Sequence, residues 1–287
     1  MKCLLTGING VVGRNLSCCL AEKYGFDIWG CGRNSSDCSK YFAVDLIDRG
    51  AVLDLFKKNR FDYVIHCAAN INDHEDFAMF SNNVISTLNI VEASLSSGIK
   101  KVFHTSSVPI IGKILELPIT EEHPVAPLTA YHLSKLQSEQ IIEHYCKDKV
   151  DFINMRIPSP VGRNMPPRSI LPIFLEKIKS DLTVTLTGDS SRKQNFLDLR
   201  DLASFIYKAS LVDGVSGTFN VAASKTYSNL GLAESIIQRI GSKSEIVNNM
   251  VDSGSSLQNW NVSTKKANLH FGYVAEHSLD ETIDWIM

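Results

Sequence analysis

The segment YHLSK places a phenol and an amine four residues apart, at Tyr131 and Lys135. On a helix this spacing puts both side chains on one face. An ammonium group beside a phenol favours the phenolate and lowers the tyrosine pKa from about 10 toward neutral pH, which suits a general acid or base. The pair therefore indicates proton transfer. The same spacing recurs at Tyr145 and Lys149, near the end of the same helical segment, and we interpret that second match as chance.

Two hydroxyl side chains, Ser106 and Ser107, lie at the end of the apolar run 101–105, upstream of the Tyr-Lys pair. In an open α/β sheet, ligands bind beyond the carboxyl ends of the strands. We therefore expect one of these hydroxyls to face the same ligand as Tyr131.

Three glycines, Gly7, Gly10 and Gly13, separate the apolar run 2–5 from the amphipathic stretch 11–24. In a strand–turn–helix unit of this kind the first glycine makes the tight turn. The second lets the backbone approach a phosphate, and the third lets the helix pack close to the sheet. The free N–H groups of the helix N-terminus then attract a pyrophosphate. The pattern predicts a dinucleotide site.

Short apolar runs alternate with longer helical patterns along the first half of the chain. The runs are 2–5, 26–30, 41–44, 63–67, 101–105 and 152–156, and the clearest helical patterns are 11–24 and 82–96. This rhythm predicts an α/β fold, a Rossmann-like doubly wound parallel sheet with helices on both faces.

A smaller C-terminal substrate domain is predicted after the sheet, because the alternation of strands and helices gives way there to proline-rich loops. We place the dinucleotide-binding domain at residues 1–165, with 194–225 returning to it, and the substrate-binding domain at 166–287. Within the smaller domain a helix is expected near 170–180 and a strand near 183–186.

The composition excludes several classes of function. With 287 residues, 44% hydrophobic and 21% charged, and a net charge of only -2, the chain lacks the concentrated basic charge that nucleic acid or an anionic membrane requires. No apolar run is long enough to span a bilayer, and the first strand leaves no room for a signal peptide, so we expect a cytoplasmic protein. The seven cysteines form no CxxC pair, which argues against a metal site or a disulfide framework.

Ten segments in order resemble the extended short-chain dehydrogenase/reductases, the NAD-dependent epimerase/dehydratase family. They are TGINGVVG, CAAN, SNNVISTLNIVEA, HTSSVPIIG, YHLSK, MRIPSPVG, NFLDLRDLA, GTFNVA, WNVSTKKA and SLDETIDWI. The resemblance implies that Ser107 holds the substrate oxygen, that Tyr131 donates or accepts the proton, and that Lys135 binds the nicotinamide ribose. Ser107 is preferred because it lies five residues before Gly112, although Ser106 remains an alternative. The implied cofactor-binding residues are Gly7, Asn9, Gly10, Val11, Val12, Gly13, Arg33, Asp45, Leu46, Cys67, Ala68, Ala69, Asn83, Tyr131, Lys135 and Pro158.

The chain departs from the family pattern at several positions that matter for chemistry. Dehydratases carry an Asp–Glu pair where this chain has Val108-Pro109, and no cysteine follows Ser107 as it does in epimerase-reductases. Many nucleotide-sugar enzymes place Arg–Asp where this chain has Gln194-Asn195. The substrate-binding candidates are therefore Ser107, Ser159 (where an Asn is usual), Arg168 and Arg192.

Three functions are consistent with these residues. The leading one is a reductase acting on a 4-keto group of a nucleotide-linked sugar. The close alternative is a nucleotide-sugar 4-epimerase that keeps its NAD. A non-catalytic dinucleotide-sensing module is disfavoured, because a sensor needs no Ser-Tyr-Lys relay.

The second strand favours NADP(H) over NAD(H). An NAD site usually ends this strand with an acid that accepts from the ribose 2′-OH, and Gly32 occupies that position here. Arg33, with Asn34 and Ser35, can instead supply charge-assisted hydrogen bonds to a 2′-phosphate. Asp27, at the start of the strand, is expected to be too distant to replace the acid.

A homodimer is expected, because in the family the helices that begin near Asn82 and Tyr131 form a four-helix bundle across a two-fold axis. Their apolar positions are equally consistent with an intramolecular core. These positions are Val84, Leu88, Val91, Leu136 and Ile141.

Overall fold

The computed structural model describes residues 1–34, 39–71, 77–187, 192–249 and 259–287. Within those ranges, none of the helices combines the length and the apolar composition needed to cross a bilayer. Ser35, which we expected to help bind a 2′-phosphate, lies outside the described residues.

The chain begins with alternating strands and helices that build the main sheet. In order they are β1 Lys2–Thr6, α1 Val11–Tyr24, β2 Asp27–Gly32, β3 Tyr41–Ala43, α2 Arg49–Lys58, β4 Tyr63–His66, α3 Phe77–Ser96, β5 Lys101–Ser107, α4 Ala130–Cys146 and β6 Asp151–Ile157. The remaining elements are β7 Ser159–Val161, α5 Ile170–Lys179, β8 Val184–Thr187, β9 Lys193–Gln194, β10 Phe196–Asp198, α6 Leu199–Ser210, β11 Gly217–Asn220, β12 Tyr227–Ser228, α7 Asn229–Ile240, β13 Ile246–Asn249, α8 Lys265–Phe271 and α9 Leu279–Ile286.

Seven strands pair in the order β11-β6-β5-β4-β1-β2-β3, and every pairing in this sheet is parallel. The strand order reverses direction between β1 and β4, so the loops that follow these two strands diverge and leave a crevice. This arrangement confirms the predicted Rossmann-like α/β fold.

Helices cover both faces of the sheet. On one face α1 and α6 pack together over an apolar core that includes Leu5, Leu16 and Phe205. On the other face α2, α3 and α4 pack over a second core that includes Leu4, Val64 and Val102. Alternate residues of the buried strands therefore point to opposite cores, as the pleat requires.

A third apolar cluster joins α5, α7 and α9 with β8, outside the main sheet. The expected helix near 170–180 and strand near 183–186 correspond to α5 and β8. The segment 194–225 contributes α6 and β11 to the main sheet and its covering layer. The division of the chain at residue 165 stays a prediction.

Candidate active site

The glycine turn after β1 is built by backbone contacts that exclude side chains at two of its three glycines. Gly7 has φ +70°, and a Cβ there would lie 2.6 Å from the backbone N of Ala68. A Cβ at Gly13 would lie 2.2 Å from the carbonyl oxygen of Gly7. Gly10 is the N-cap of α1 without a side-chain cap, so the first-turn N–H groups of the helix have no side-chain partner.

The first cavity, of about 340 Å³, opens along the ends of β1, β2 and β4. Ten of the sixteen cofactor-binding candidates are in its wall: Gly7, Asn9, Gly10, Arg33, Asp45, Leu46, Cys67, Ala68, Ala69 and Asn83. Its elongated wall of small residues and backbone suits the adenosine and pyrophosphate of a dinucleotide.

The second cavity, of about 540 Å³, shares Gly7, Gly10, Cys67 and Ala69 with the first and continues past the ends of β5 and β6. The remaining cofactor candidates are in its wall: Val11, Val12, Gly13, Tyr131, Lys135 and Pro158. Ser106 and Ser107 line it as well. The two cavities therefore bring the glycine turn, the serines and the Tyr-Lys pair to one continuous crevice.

Both serine hydroxyls remain candidates for the substrate contact. Ser107 is 9% exposed, and Ser106 is 3% exposed. Within the described part of the chain, the buried Oγ of Ser106 has no hydrogen-bond partner. A buried hydroxyl without a partner is uncommon in native proteins, and a bound ligand would supply one.

The pKa of Tyr131 differs from the sequence-based expectation. Burial raises the pKa of the Tyr131 phenol to about 12. The Nζ atom of Lys135 lies 5.8 Å from the tyrosine ring centroid and donates a hydrogen bond of 2.7 Å to the backbone oxygen of Thr105. The expectation that the ammonium lowers the phenol's pKa is therefore wrong for this structure, in which burial of the phenol shifts the pKa upward.

Lys135 is itself held in a desolvated place, and burial lowers the pKa of its ammonium to about 8. Two neutral imidazoles lie behind it. Burial lowers the pKa of His66 to about 3 and that of His104 well below its ordinary value, and the nearby Lys135 charge lowers both further. At neutral pH the amine is thus the cation among these three described groups, and the two imidazoles are neutral.

A buried polar network fixes α3 and α4 against the end of β4. Asn83 accepts a hydrogen bond from the backbone N of Asn70 at 2.8 Å and donates to Ser134 Oγ at 3.0 Å. His66 is paired with Thr6 at 2.8 Å and with Thr87 at 3.3 Å. These bonds hold the segment after β4, which lines both cavities, in a single position relative to the helix that carries Tyr131.

The substrate candidates divide into two groups. Ser107 and Ser159 line the second cavity, whereas Arg168 and Arg192 are not among the described residues of either cavity wall. Lys135 is the only Lys or Arg among the described residues that line the second cavity. Gln194 also lines it and donates to Asn229 Oδ1 at 2.9 Å.

Several lining residues were missed by the sequence reasoning. His132, Met165, Ser169, Ile170 and Phe196 all face the second cavity. His132 stands next to Tyr131 in YHLSK, and its Nδ1 is 2.8 Å from the hydroxyl of Thr129, which also caps α4. Its adjacency to the tyrosine was a usable signal. Met165 lies in a loop and Ser169, Ile170 and Phe196 lie at the starts of α5 and β10, and the sequence does not show that these element ends face the cavity.

The family was tested by comparison with known proteins. The model of the NAD dependent epimerase/dehydratase family matches residues 3–222, which span the main sheet and both cavities. The chain belongs to this family. Its members are NAD-dependent enzymes, and the resemblance read from the ten sequence segments is confirmed.

Individual relatives carry different activities. The chain is 28% identical over 229 residues to a UDP-glucose 4-epimerase of Erwinia amylovora, covering 70% of this chain and 68% of that protein. It is 23% identical over 262 residues to a dTDP-4-dehydro-6-deoxyglucose reductase of Escherichia coli, covering 85% and 83%. The family is thus established. Its members include both an epimerase and a reductase that resemble this chain, so membership alone does not assign either activity.

A solved structure shows the same fold. The Bordetella bronchiseptica enzyme WbmG in complex with NAD and UDP superposes with a TM-score of 0.84 at 22% identity, covering 98% of this chain and 91% of that one. The seven-stranded parallel sheet and its flanking helices are therefore a fold that this chain shares with a solved structure.

Proposed function

We propose that this protein is an NAD(P)-dependent reductase of a 4-keto group on a nucleotide-linked deoxysugar. The observation that carries the proposal is the meeting of Ser107, Tyr131 and Lys135 at one cavity that is continuous with the glycine turn. Binding residues alone would suit a sensor, whereas a serine, a phenol and an amine around one cavity suit proton and hydride transfer.

The proposed residues act on one carbonyl group. A reduced nicotinamide, when bound, supplies the hydride that the carbonyl carbon receives. The Tyr131 phenol gives its proton to the carbonyl oxygen, and Ser107 Oγ donates a hydrogen bond to the same oxygen. Burial raises the pKa of Tyr131, so the phenol is protonated at neutral pH and holds the proton that the reduction consumes. Lys135, anchored on Thr105, would hold the cofactor ribose and give a proton to the phenolate, and solvent would return that proton to the amine.

Two structural features argue against the other chemistries of the family. The positions after Ser107 form a short 3₁₀ turn, Val108–Ile111, in which Val108 is fully buried and no acid is present to eliminate water. None of the residues directly after Ser107, from Val108 to Ile111, is a cysteine. The described residues of the cavity wall include no Asp, Glu or reactive cysteine beside Ser107, and their groups suit carbonyl reduction or alcohol oxidation.

Recognition of the nucleotide diphosphate is proposed to rely on backbone dipoles. The first residues of α5, Ile170 and Leu171, line the second cavity beside Ser169. Ser169 is an N-cap that makes no side-chain cap hydrogen bond, so N–H groups of the first turn are available to an anion. This helix end compensates for Gln194, which occupies the position where relatives carry an arginine.

NADP(H) is the proposed cofactor, although the family is NAD-dependent by description. Gly32 and Arg33 line the first cavity at the end of β2, and within the described residues 27–34 the only carboxylate is that of Asp27. Asp45, two residues after β3, also lines this cavity. Asp27 is engaged with Lys40 at 2.5 Å at the opposite end of the strand, about 16 Å away along the backbone. An exchangeable NADPH suits net reduction.

The second candidate function is a 4-epimerase that retains NAD, and the Erwinia relative favours it. Such an enzyme oxidises the sugar at C4, turns the keto intermediate and reduces it from the other face. Its cofactor is regenerated in each cycle, so no external reductant is consumed.

The reaction assay separates the two candidates. Purified protein is mixed with NADPH and a nucleotide-linked 4-keto-6-deoxyhexose, and the near-ultraviolet absorbance of the reduced cofactor is followed. We expect absorbance loss equal to the alcohol formed, faster with NADPH than with NADH. Interconversion of UDP-glucose and UDP-galactose without added cofactor would instead support the epimerase and contradict the proposal.

We also propose that the protein is a homodimer through the outer faces of α3 and α4. Three of the apolar positions belong to the core of the subunit rather than to its surface: Val91, Leu136 and Ile141. Outward-facing apolar side chains remain at Ile85, Leu88 and Leu133, which are 40%, 37% and 40% exposed.

Light scattering at micromolar concentration is expected to give the mass of two chains, and Leu88→Glu should give one chain. Leu211→Glu, at a 60% exposed leucine at the end of α6, is the matched control and should leave the dimer intact. A wild-type mass of 31.8 kDa would overturn the proposal.

A further inference from the structure

The end of β2 is occupied by a side chain from the neighbouring strand. A Cβ at Gly32 would lie 2.7 Å from the hydroxyl oxygen of Tyr41, a contact that real Cβ atoms do not make. Tyr41 is the first residue of β3, which pairs with β2 in parallel. A larger residue at the position where an NAD site carries its acid would therefore have to displace the Tyr41 hydroxyl.

This hydroxyl is tied to the glycine turn. The side-chain amide of Asn9 donates a hydrogen bond to Tyr41 Oη at 3.3 Å. Asn9 and Gly32 both line the first cavity, beside Arg33. Because the amide hydrogen satisfies a lone pair of Oη, the hydroxyl's own proton is left to donate.

This hydroxyl differs from the acid usual at the end of β2, because it is neutral and carries a proton that it can donate. A carboxylate accepts a hydrogen bond from a ribose 2′-OH and repels a phosphate, whereas a phenol hydroxyl donates to a phosphate oxygen. A donor beside an arginine therefore favours a phosphorylated ribose over a free one.

We propose that Tyr41 is a specificity residue of the cofactor site, whose hydroxyl, held by Asn9 above Gly32, donates to the 2′-phosphate of NADP(H). The inference rests on the cofactor preference in the proposed function. It goes beyond that preference by placing part of the recognition on β3, at a hydroxyl that lies against Gly32.

The experiment is a fluorescence titration of the purified full chain with NADPH and with NADH, for the wild type and three variants. Tyr41→Phe is expected to raise the Kd of NADPH about 10-fold and to change that of NADH less than about twofold. Arg33→Ala should weaken NADPH binding independently of Tyr41. Tyr145→Phe, at a tyrosine that is 43% exposed on α4, is the matched control and should change neither affinity.

A double variant tests whether the Tyr41 hydroxyl crowds a side chain at position 32. Without the hydroxyl, the atom nearest to a Cβ at position 32 is Asn9 Nδ2 at 3.6 Å, followed by Tyr41 Cζ at 3.7 Å, and both are ordinary contacts. Gly32→Asp combined with Tyr41→Phe should therefore reverse the preference to NADH. Gly32→Asp alone should bind NADH less tightly than the double variant, because Tyr41 Oη still crowds the new side chain.

The outcomes distinguish a failure of the proposed NADP(H) preference from a failure of the proposed role of Tyr41. A wild type that binds NADH more tightly overturns the cofactor preference and this inference with it. A wild type that prefers NADPH, with Tyr41→Phe unchanged or with both cofactors weakened equally, overturns this inference alone. Melting curves of all variants show whether a loss of affinity reflects the site or the fold.

Discussion

Tyr131→Phe is expected to lower turnover by about 10²–10⁴-fold while leaving the fold and cofactor affinity unchanged. The substitution removes one oxygen atom, and in the described part of the chain that oxygen has no hydrogen-bond partner whose loss would destabilise the protein. The ring remains against His132 at 5.2 Å between centroids. The proton donor is therefore lost without a change in packing.

Tyr145→Phe is the matched control, because it removes the same atom from the same helix. Tyr145 is 43% exposed, and α4 ends at Cys146, before Lys149, so the second Tyr-Lys spacing does not complete a pair on the helix. Its turnover, cofactor Kd and Tm should match the wild type. Equal activity of the two variants, or equal inactivity of both with intact folds, would show that the relay has been assigned to the wrong tyrosine.

Gly13→Ala is expected to lower the free energy of unfolding by about 3 kcal/mol and the Tm by roughly 5–10 °C. The added Cβ would lie 2.2 Å from the Gly7 carbonyl oxygen and 2.7 Å from the Cα of Ile8. Both contacts are with backbone, which cannot rotate away as a side chain would. The helix α1 must therefore move off the turn, and cofactor affinity should fall as well.

Gly10→Ala separates this steric effect from binding. A Cβ at Gly10 would lie 3.3 Å from the Gly7 oxygen, with no closer contact, and its φ of -77° is open to alanine. Its Tm should stay close to that of the wild type, while cofactor affinity falls because the new methyl group faces the cavity. Thermal melts and titrations of the two variants check both expectations, and a Gly13→Ala protein as stable as Gly10→Ala would contradict the packing argument.

The local part of the site could be predicted from the sequence because it depends on neighbours in the chain. The bounds of α1, Val11–Tyr24, follow from the glycines that precede it and from its apolar spacing, and the structure has the same bounds. The roles expected of Gly7 and Gly13 likewise match the contacts their missing side chains would make. Helix α3 begins at Phe77, five residues before the predicted start at 82. Phe77 is an apolar residue that is 91% exposed, so the first turn does not follow the spacing of buried apolar positions on which the prediction depends.

Tertiary structure decided the properties that depend on groups distant in the chain. The pKa of Tyr131 is a balance between burial and charge, and the sequence shows the charge of Lys135 but not the burial. The arginines at 168 and 192 have suitable charge, yet the paths of their loops keep them out of the cavity walls.

The contact between Gly32 and Tyr41 arises because β3 pairs with β2, which no spacing along the chain reports. Residue types and local spacing thus determined the fold class, the glycine turn and the Ser-Tyr-Lys set. The charge states and the walls of the site were determined by burial, strand pairing and loop paths. These depend on contacts between residues that are distant in the chain.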